Sequence, residues 1–464
     1  MKNLIDKLTA HIPFRRRLFS GASWAFGVRM ATITLGLIIA GLLARILSPE
    51  HMGAYFVIFS LVQVAVIGAQ LGLNQAVVRL VAESLALNDK GRARSTIVSV
   101  LLYGTVGGVV VGGVYYFWLG TYLARDVFAS DVIEGVIGVT ALWVIILTLQ
   151  RLFAEAFRGL HDIRLASTFG GFVTSLISAV IFWFMLSAQY EATLNDVLYY
   201  TIIASLISAA LASVILFLKM KPLTGEGKIE QRIIWSGAWS LLLGNIVNVL
   251  LMRSDIWLVG SLLGSEDAAL YGAAARIITL VVLPAMIVSA VVPPMIAELY
   301  TQGRKDELEK VMRGSATLSA IPALAILLIF IFGGGPLLGM IYGPYYTDAA
   351  LVLAILSLGQ LASAWAGPCA QLLLMSGHDK ALLVINVFAV AFAVAASLLF
   401  IDIWGMHGIA AAYALAVTLQ NAAMVTYGYK KIGVKTYIGF HVPVRSLLKR
   451  RRGGRRGGAR PVED

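Results

Sequence analysis

Charged residues are scarce in this chain of 464 residues. Asp, Glu, Lys and Arg together make up 13% of it, whereas apolar residues make up 59% and the mean hydropathy is +0.83. A soluble globular domain carries about 25% charged residues, and a disordered chain is poor in apolar ones. The composition therefore excludes both classes and indicates a polytopic membrane protein.

Cysteine and catalytic motifs are equally sparse. Cys369 is the only cysteine, which excludes an intramolecular disulfide and a cysteine-rich metal site. The sequence also lacks a Walker motif, histidines at metal-ligand spacing and a serine nucleophile elbow. His378 and His407 lie at the ends of apolar runs, where we interpret them as interfacial residues and not as ligands. These absences argue against an enzyme.

Long apolar runs are what the sequence has instead. A spanning helix needs about 20 mainly apolar residues, and a window of about 19 residues finds twelve such runs. We therefore predict an all-α integral membrane protein with 12 transmembrane helices. The runs lie near 20–46, 54–78, 95–118, 131–150, 165–187, 194–218, 233–262, 269–297, 312–332, 348–375, 381–401 and 408–429.

Basic residues alternate between the predicted loops. One set of loops holds Lys and Arg throughout, for example Arg79, Arg151 and Lys219, whereas the other set has Arg45 and Arg125 as its only bases. The positive-inside rule places the basic loops and both termini in the cytoplasm. The loops on the outer side are short and leave no external domain for polymerase or ligase chemistry.

The basic excess is concentrated at the C-terminal end. From Lys430 onward the chain has 11 Lys or Arg residues and two acids. A segment this rich in glycine and arginine is predicted to be disordered and to lie near anionic lipid heads, with RNA binding as the less favoured alternative. The predicted division is a cytoplasmic N-terminal segment 1–19, an N-lobe 20–218, a cytoplasmic linker 219–232, a C-lobe 233–429 and a basic tail 430–464.

The two halves of the chain align without gaps at an offset of 216 residues. Glu50 aligns with Glu266 and Tyr55 with Tyr271, and eight of the 36 positions from residue 20 to residue 55 are identical. Six predicted spans separate the copies, so both begin on the same side of the membrane. Repeats of equal orientation imply two six-helix lobes related by a pseudo-two-fold axis along the membrane normal, with the substrate between the lobes and alternating access.

Three arginines lie inside predicted spans, where charged side chains are costly and face the protein interior or a cavity. Arg29, Arg253 and Arg276 are accompanied there by a single acid, Asp255. Arginine does not lose its proton, and it binds phosphate oxygens in pairs. The excess positive charge favours a substrate with a phosphate or pyrophosphate group, whereas a pump for cationic drugs would favour carboxylates. The alternative is that all three arginines snorkel or bond to backbone carbonyls.

Amide side chains recur at helical spacing in the second, seventh and tenth predicted spans, which places those of each span on one face. We predict that these faces converge with the arginines on a cavity between the lobes. The alternative is that the amides join helices through hydrogen bonds. The predicted substrate-binding residues are Arg29, Arg276, Arg253, Gln63, Gln70, Asn74, Asn245, Asn248 and Gln360.

Several longer segments carry a family resemblance. They are LLARILSPEHMGAYFVIFSLV, AQLGLNQAVVRLVAE, RSDIWLVGSLLGSEDAALYGAAARI, IYGPYYTDAALVLAILSLGQL and WGMHGIAAAYALAV. They resemble the polysaccharide biosynthesis flippases, the Wzx-like exporters of the multidrug/oligosaccharidyl-lipid/polysaccharide (MOP) superfamily. The resemblance covers residues 20–433, and twelve spans fit these flippases better than the larger number typical of lipid II flippases.

The resemblance implies a MOP/MATE-like fold and a defined substrate. That substrate is an oligosaccharide repeat unit on undecaprenyl pyrophosphate, moved across the cytoplasmic (inner) membrane. The implied partners are the glycosyltransferases and polymerase of a polysaccharide pathway, with no nucleic acid. No cofactor is implied beyond a coupling proton or sodium ion, for which Asp255 is the only deep carboxylate. A multidrug exporter is the alternative, and a membrane-embedded polymerase or ligase is less favoured.

Overall fold

The computed structural model describes residues 12–225, 227, 229–235 and 238–439. Side chains are described from residue 24, with further gaps between 236 and 252 and between 282 and 294. Within these ranges every regular element is helical. The first part of the predicted N-terminal segment and the tail from residue 440 lie outside the described residues.

Long helices follow one another along the chain. They are labelled α1 (Ile12–Ile46), α2 (Pro49–Gln70), α3 (Leu73–Ala86), α4 (Lys90–Val114), α5 (Ile137–Gly159), α6 (Val173–Ser187), α7 (Leu194–Met220), α8 (Ala238–Leu262), α9 (Ser265–Ile278), α10 (Val282–Thr301), α11 (Lys305–Tyr342), α12 (Ala350–Ala366) and α13 (Asp379–Tyr427). Shorter helical turns extend α4 through Val127 and connect α9 to α10.

Among the described residues, ten helices are long and apolar enough to cross a membrane. The predicted spans 381–401 and 408–429 fall within the single helix α13, whose backbone leaves helical geometry at Gly405 (φ +55°). The predicted span 233–262 corresponds to α8, several of whose side chains lie outside the described set. The all-helical membrane fold is confirmed, and the number of twelve spans stays a prediction.

The helix ends are set by local chemistry and do not coincide with the ends of the apolar runs. α2 begins after Ser48, whose hydroxyl accepts a hydrogen bond from the His51 amide at 3.3 Å, with Pro49 in the first turn. The predicted span 54–78 is interrupted after α2, because Leu71 and Gly72 both adopt left-handed backbone angles (φ +51° and +76°). α1 already includes residues 12–19, before the predicted start of the span at residue 20, because a helix can extend beyond the apolar part of its sequence.

The repeat is visible where α2 packs against α9. At the offset of 216 residues, Gly53 aligns with Ala269 and Phe56 with Gly272. A Cβ atom on Gly272 would overlap the Phe56 ring, and one on Gly53 would overlap the α9 backbone and lie 3.0 Å from the Ala269 nitrogen. Contacts between equivalent positions are what a two-fold axis produces. The predicted pseudo-symmetry therefore accounts for this packing.

The chain forms two compact units. The larger unit holds the N-terminal part through Leu280, together with Ile329–Ser357 and Asn386–Ala416, and the smaller unit holds Val281–Leu328, Leu358–Ile385 and the chain from Val417. These units do not coincide with the predicted lobes, because α8 and α9 of the second repeat belong to the larger unit. The division into N-lobe and C-lobe stays a prediction.

Residues 434–439 pack inside the smaller unit, and we call them the C-terminal strap. Val434 and Thr436 are fully buried, and the Tyr437 ring stacks on Trp365 with centroids 5.0 Å apart. The Ile438 amide donates a hydrogen bond to the Trp365 carbonyl at 3.1 Å. The prediction of disorder from residue 430 is therefore wrong for residues 430–439. Backbone hydrogen bonds and one stacked ring order a segment whose composition favours disorder.

Candidate functional site

Two arginines of the second repeat lie against one aromatic ring of the first, all within the larger unit. Arg276 on α9 places its Cζ 5.3 Å from the Phe59 ring centroid, and Arg253 on α8 places its Cζ 6.0 Å from the same centroid. A guanidinium within about 6 Å of a ring centroid is attracted by the ring quadrupole. The two cations also interact with each other electrostatically, so the ring offsets part of their repulsion.

A third arginine joins them from α5. The Nη2 atom of Arg151 donates a hydrogen bond to Oε1 of Gln63, which lies one turn along α2 from Phe59. Arg151 is near enough to Arg253 for the two charges to repel each other. We call Arg151, Arg253 and Arg276, with Phe59 and Gln63, the arginine cluster. All five side chains are half-buried and so remain partly accessible.

The position of Arg151 corrects the prediction that it lies in a cytoplasmic loop. It lies inside α5, because the packed face of that helix continues past it through Leu152 and Phe157, both fully buried. One turn further on, Glu155 also interacts electrostatically with Arg151. The Glu155 carboxylate is bound, however, at 2.5 Å to the Nη1 atom of Arg158.

Carboxylates do not neutralise the arginine cluster directly. In the part of the chain that the structure describes, no carboxylate forms an ion pair with a member of the cluster. Asp255 lies nearby and is 7% exposed, but it accepts hydrogen bonds from the Tyr271 hydroxyl at 3.1 Å and the Ile256 amide at 2.9 Å. Arg253 and Asp255 attract each other without a direct bond. Three guanidinium groups and one buried carboxylate leave a net positive charge.

A glycine on α1 makes room for the cluster. The Nη2 atom of Arg276 donates a long hydrogen bond to the Gly36 carbonyl at 3.4 Å. A Cβ atom at Gly36 would lie 2.8 Å from that nitrogen, so any larger residue would displace the guanidinium. Arg29 is exposed on the same helix. Seven residues separate it from Gly36, which is two helical turns along one face.

The other predicted site residues are dispersed. Gln70 is buried at the end of α2, with no hydrogen-bond partner for its Nε2 atom among the described residues. Asn74 lies on α3, beyond the backbone interruption, and its side chain accepts a hydrogen bond from the Gln75 amide. Gln360 is half-buried in the smaller unit. The side chains of Asn245 and Asn248 on α8 lie outside the described residues.

Sequence reasoning missed Phe59 and Arg151. Phe59 lies in an uninterrupted apolar run and has no sequence feature that separates it from the aromatic residues of a helix core. A signal did exist for Arg151, because Leu152, Ala156 and Phe157 continue the apolar pattern of the preceding helix beyond it. What the cluster can do chemically is bind an anionic group, since guanidinium donors match phosphate and carboxylate oxygens.

Two family models match the chain. One, described as "Polysaccharide biosynthesis protein", matches residues 18–300. The other, described as MatE, matches residues 241–399. Among curated proteins, a Shigella flexneri protein named for O-antigen transport is 23% identical over 399 residues, which cover 84% of this chain and 93% of the relative.

Solved structures share the fold at low identity. An inward-facing multidrug resistance MATE transporter of the MOP superfamily superposes with a TM-score of 0.73 at 16% identity, covering 86% of this chain and 94% of that one. A MOP superfamily transporter from Pyrococcus furiosus superposes with a TM-score of 0.56 at 15% identity, covering 90% of this chain and 95% of that one. That transporter is described as having a binding pocket of reversed polarity.

Proposed function

This chain belongs to the polysaccharide biosynthesis protein family, and on that premise we propose that it flips an undecaprenyl-pyrophosphate-linked oligosaccharide across the cytoplasmic (inner) membrane by alternating access. That it is a multi-pass transporter of the MOP superfamily, and not an enzyme, follows from the family and its relatives. The lipid-linked substrate is the proposal. The arginine cluster is the observation that supports it.

The cluster suits a pyrophosphate head group for electrostatic reasons. Each guanidinium keeps its charge in an apolar environment, and it can bind two phosphate oxygens at once. No described carboxylate forms an ion pair with Arg151, Arg253 or Arg276. An anionic ligand would supply the missing counter-charges, so its binding is favourable there, whereas a cation would be repelled.

Cationic drugs are the competing substrates, because multidrug MATE transporters share this fold. The deepest carboxylate beside the cluster is Asp255, and its oxygens are already bound by the Tyr271 hydroxyl and a backbone amide. A cation would therefore meet three positive charges before reaching one occupied acid. The charge balance favours the lipid-linked anion.

The predicted residues away from the cluster remain part of the proposal. Arg29 is exposed two turns from the Gly36 contact with Arg276, a position suited to a head group moving along α1. Gln70, Asn74 and Gln360 stay predicted substrate-binding residues. Asn245 and Asn248 are assigned the same role from sequence alone.

We also propose that Asp255 couples transport to a proton or sodium gradient. It is buried and receives a hydroxyl hydrogen bond from Tyr271, and it is close enough to Arg253 to influence that charge. Glycosyltransferases and a polymerase of the same pathway would supply and consume the substrate. If Asp255→Asn responds to imposed pH and sodium gradients as the wild type does, Asp255 is not the coupling residue.

Reconstituted liposomes test the transport proposal. A fluorescent oligosaccharide on undecaprenyl pyrophosphate is added, and the fraction protected from an impermeant quencher is followed over time. We expect Arg276→Ala and Arg253→Ala to lose at least about 90% of the flipping rate, because each removes bidentate phosphate contacts worth more than about 1.4 kcal/mol. Arg276→Lys should also be impaired, since a lysine cannot bind phosphate in the bidentate mode.

The matched control is Arg304→Ala, which removes an exposed arginine paired with Glu307 at 2.6 Å and should leave the rate unchanged. Tetraphenylphosphonium uptake is measured in the same vesicles. Uptake of that cation without flipping of the lipid would contradict the proposal and identify a drug exporter.

In cells, Arg29→Ala should abolish surface polysaccharide while the protein still accumulates, and Arg29→Lys should be impaired. Normal polysaccharide in Arg29→Ala would remove Arg29 from the mechanism.

A further inference from the structure

Three like charges in the arginine cluster need something to hold them in place. Arg253 and Arg276, which both lie against the Phe59 ring, repel each other, and Arg151 repels Arg253. Ion pairs usually fix such groups, but none forms here among the described residues. The direct contacts that position these arginines are therefore uncharged ones.

The Phe59 ring provides one such contact, and two further aromatic rings pack against it. Its centroid lies 6.1 Å from the Tyr55 centroid and 6.1 Å from the Trp143 centroid. Arg276 and Arg253 lie 5.3 and 6.0 Å from the same ring. The attraction between a guanidinium and a ring depends on the ring face, so contacts that restrict the Phe59 ring also restrict where the two guanidinium groups lie.

Gln63 provides the second contact, on the same face of α2. Residues four apart on a helix lie on the same face, one turn apart, so Gln63 is the neighbour of Phe59 on that face. Its amide oxygen accepts one N–H of Arg151 and carries no charge. The positive charge of Arg151 is retained, and its other donors stay available.

We infer that Phe59 is a positioning residue, which together with Gln63 makes one face of α2 the template that arranges three arginines from three other helices for the two phosphates of one diphosphate group. This inference rests on the proposed function. A carboxylate at either position would hold the arginines equally well but would neutralise them. An aromatic ring and an amide orient the cations and leave their charge for the ligand.

Binding of a short isoprenoid diphosphate by the purified full-length protein tests the inference. Farnesyl diphosphate and farnesyl monophosphate are titrated in detergent, and the ratio of their Kd values measures diphosphate selectivity. Phe59→Leu keeps an apolar side chain but removes the ring, and we expect about a tenfold weaker diphosphate affinity with little change for the monophosphate. Phe59→Tyr keeps the ring and should restore binding to within about twofold of wild type.

A purely structural role for Phe59 would weaken both ligands alike and would lower the melting temperature in proportion. Phe117→Leu, at a ring 84% exposed, is the matched control and should change neither ligand. If Phe59→Leu does not accumulate, Phe59→Met replaces it. Unchanged selectivity in the ring-less variant, or a Phe59→Tyr variant as impaired as Phe59→Leu, overturns the inference.

The same titration separates this inference from the proposed function. Loss of diphosphate binding in Arg276→Ala with full binding in Phe59→Leu would overturn only the positioning role. Unchanged diphosphate binding in Arg276→Ala would overturn the proposed anion site itself.

Discussion

Each unit of the molecule has an arginine against an aromatic ring, and their surroundings differ. In the larger unit, Arg276 lies 5.3 Å from the Phe59 centroid and donates a hydrogen bond to the Gly36 carbonyl at 3.4 Å. In the smaller unit, Arg313 lies 5.8 Å from the Tyr437 centroid and pairs with Glu309 at 3.5 Å. The ring contact is similar in both places, and only the smaller unit adds a carboxylate.

The carboxylate distinguishes a structural arginine from one available to a ligand. Arg313 is neutralised by Glu309, and its ring partner, Tyr437, belongs to the C-terminal strap, so this contact fastens the strap to α11. Arg276 is oriented but not neutralised. An aromatic partner alone therefore does not identify a binding residue, and the absence of an acid beside it is the informative observation.

Adding a carboxylate to the arginine cluster of the larger unit should have the largest effect, on the flipping rate. Gln63→Glu is nearly isosteric and places an acid against Arg151. We expect an unchanged or higher melting temperature, because the hydrogen bond from Arg151 gains a second charged partner and such bonds are stronger. The flipping rate should fall by about tenfold or more, because one cation is neutralised. Gln75→Glu, at an exposed position nearby, is the control, and a wild-type rate in Gln63→Glu would contradict the argument.

Removing the ring from the smaller unit should have a moderate effect on stability and none on ligand binding. Tyr437→Leu loses the stack on Trp365 and the contact with Arg313, and aromatic pairs contribute about 0.5–1.5 kcal/mol beyond buried area. We expect a melting temperature a few degrees lower and an unchanged farnesyl diphosphate affinity. Tyr429→Leu, at an exposed ring near Lys435, is the comparison. An equal fall in melting temperature in both variants would show that the Tyr437 contacts of the strap stabilise the protein no more than an exposed ring does.

The smallest expected effect concerns an ordinary exposed ion pair. Asp162 accepts a hydrogen bond from Lys219 Nζ at 2.7 Å. Partial burial raises the pKa of Asp162, but the hydrogen bonds from Lys219 and from the Leu165 amide outweigh it, so its pKa lies below the usual value. Its stabilisation is therefore present above the unfolded pKa of about 3.9 and is lost as pH falls through the folded value.

Melting of the wild type and Asp162→Asn between pH 3 and pH 7 measures this contribution. Exposed pairs contribute about 0–1 kcal/mol, so the two proteins should differ by a degree or two at pH 7 and converge at the acidic end. A difference that persists at low pH would mean that packing, and not charge, is responsible.

The helical membrane fold and the charge excess were both predictable from the sequence. Apolar runs set the helices, and the 216-residue offset makes Gly53 equivalent to Ala269 and Phe56 to Gly272, the pairs that the structure brings together. Arg253 could be placed in a span because a charge in an apolar run is conspicuous. These features depend on local composition or on a comparison of the chain with itself.

The partners of those charges were not predictable. Gln63 and Arg151 are 88 residues apart and meet only through packing of α2 on α5. Phe59 has no charge or spacing to mark it in an apolar run. The C-terminal strap was missed because its order comes from backbone bonds such as Ile438 to Trp365, which leave no trace in composition. A single sequence does not show which residues of distant helices contact each other.

The meeting of Phe56 with Gly272 has an evolutionary consequence. In a homodimer of identical halves, residues beside the dyad face their own copies, so a large side chain would oppose another large one and a glycine another glycine. Fusion of the halves into one polypeptide removes that restriction. Position 56 can then carry a large side chain and position 272 a glycine that leaves room for it. No strictly symmetric ancestor could have evolved this fit.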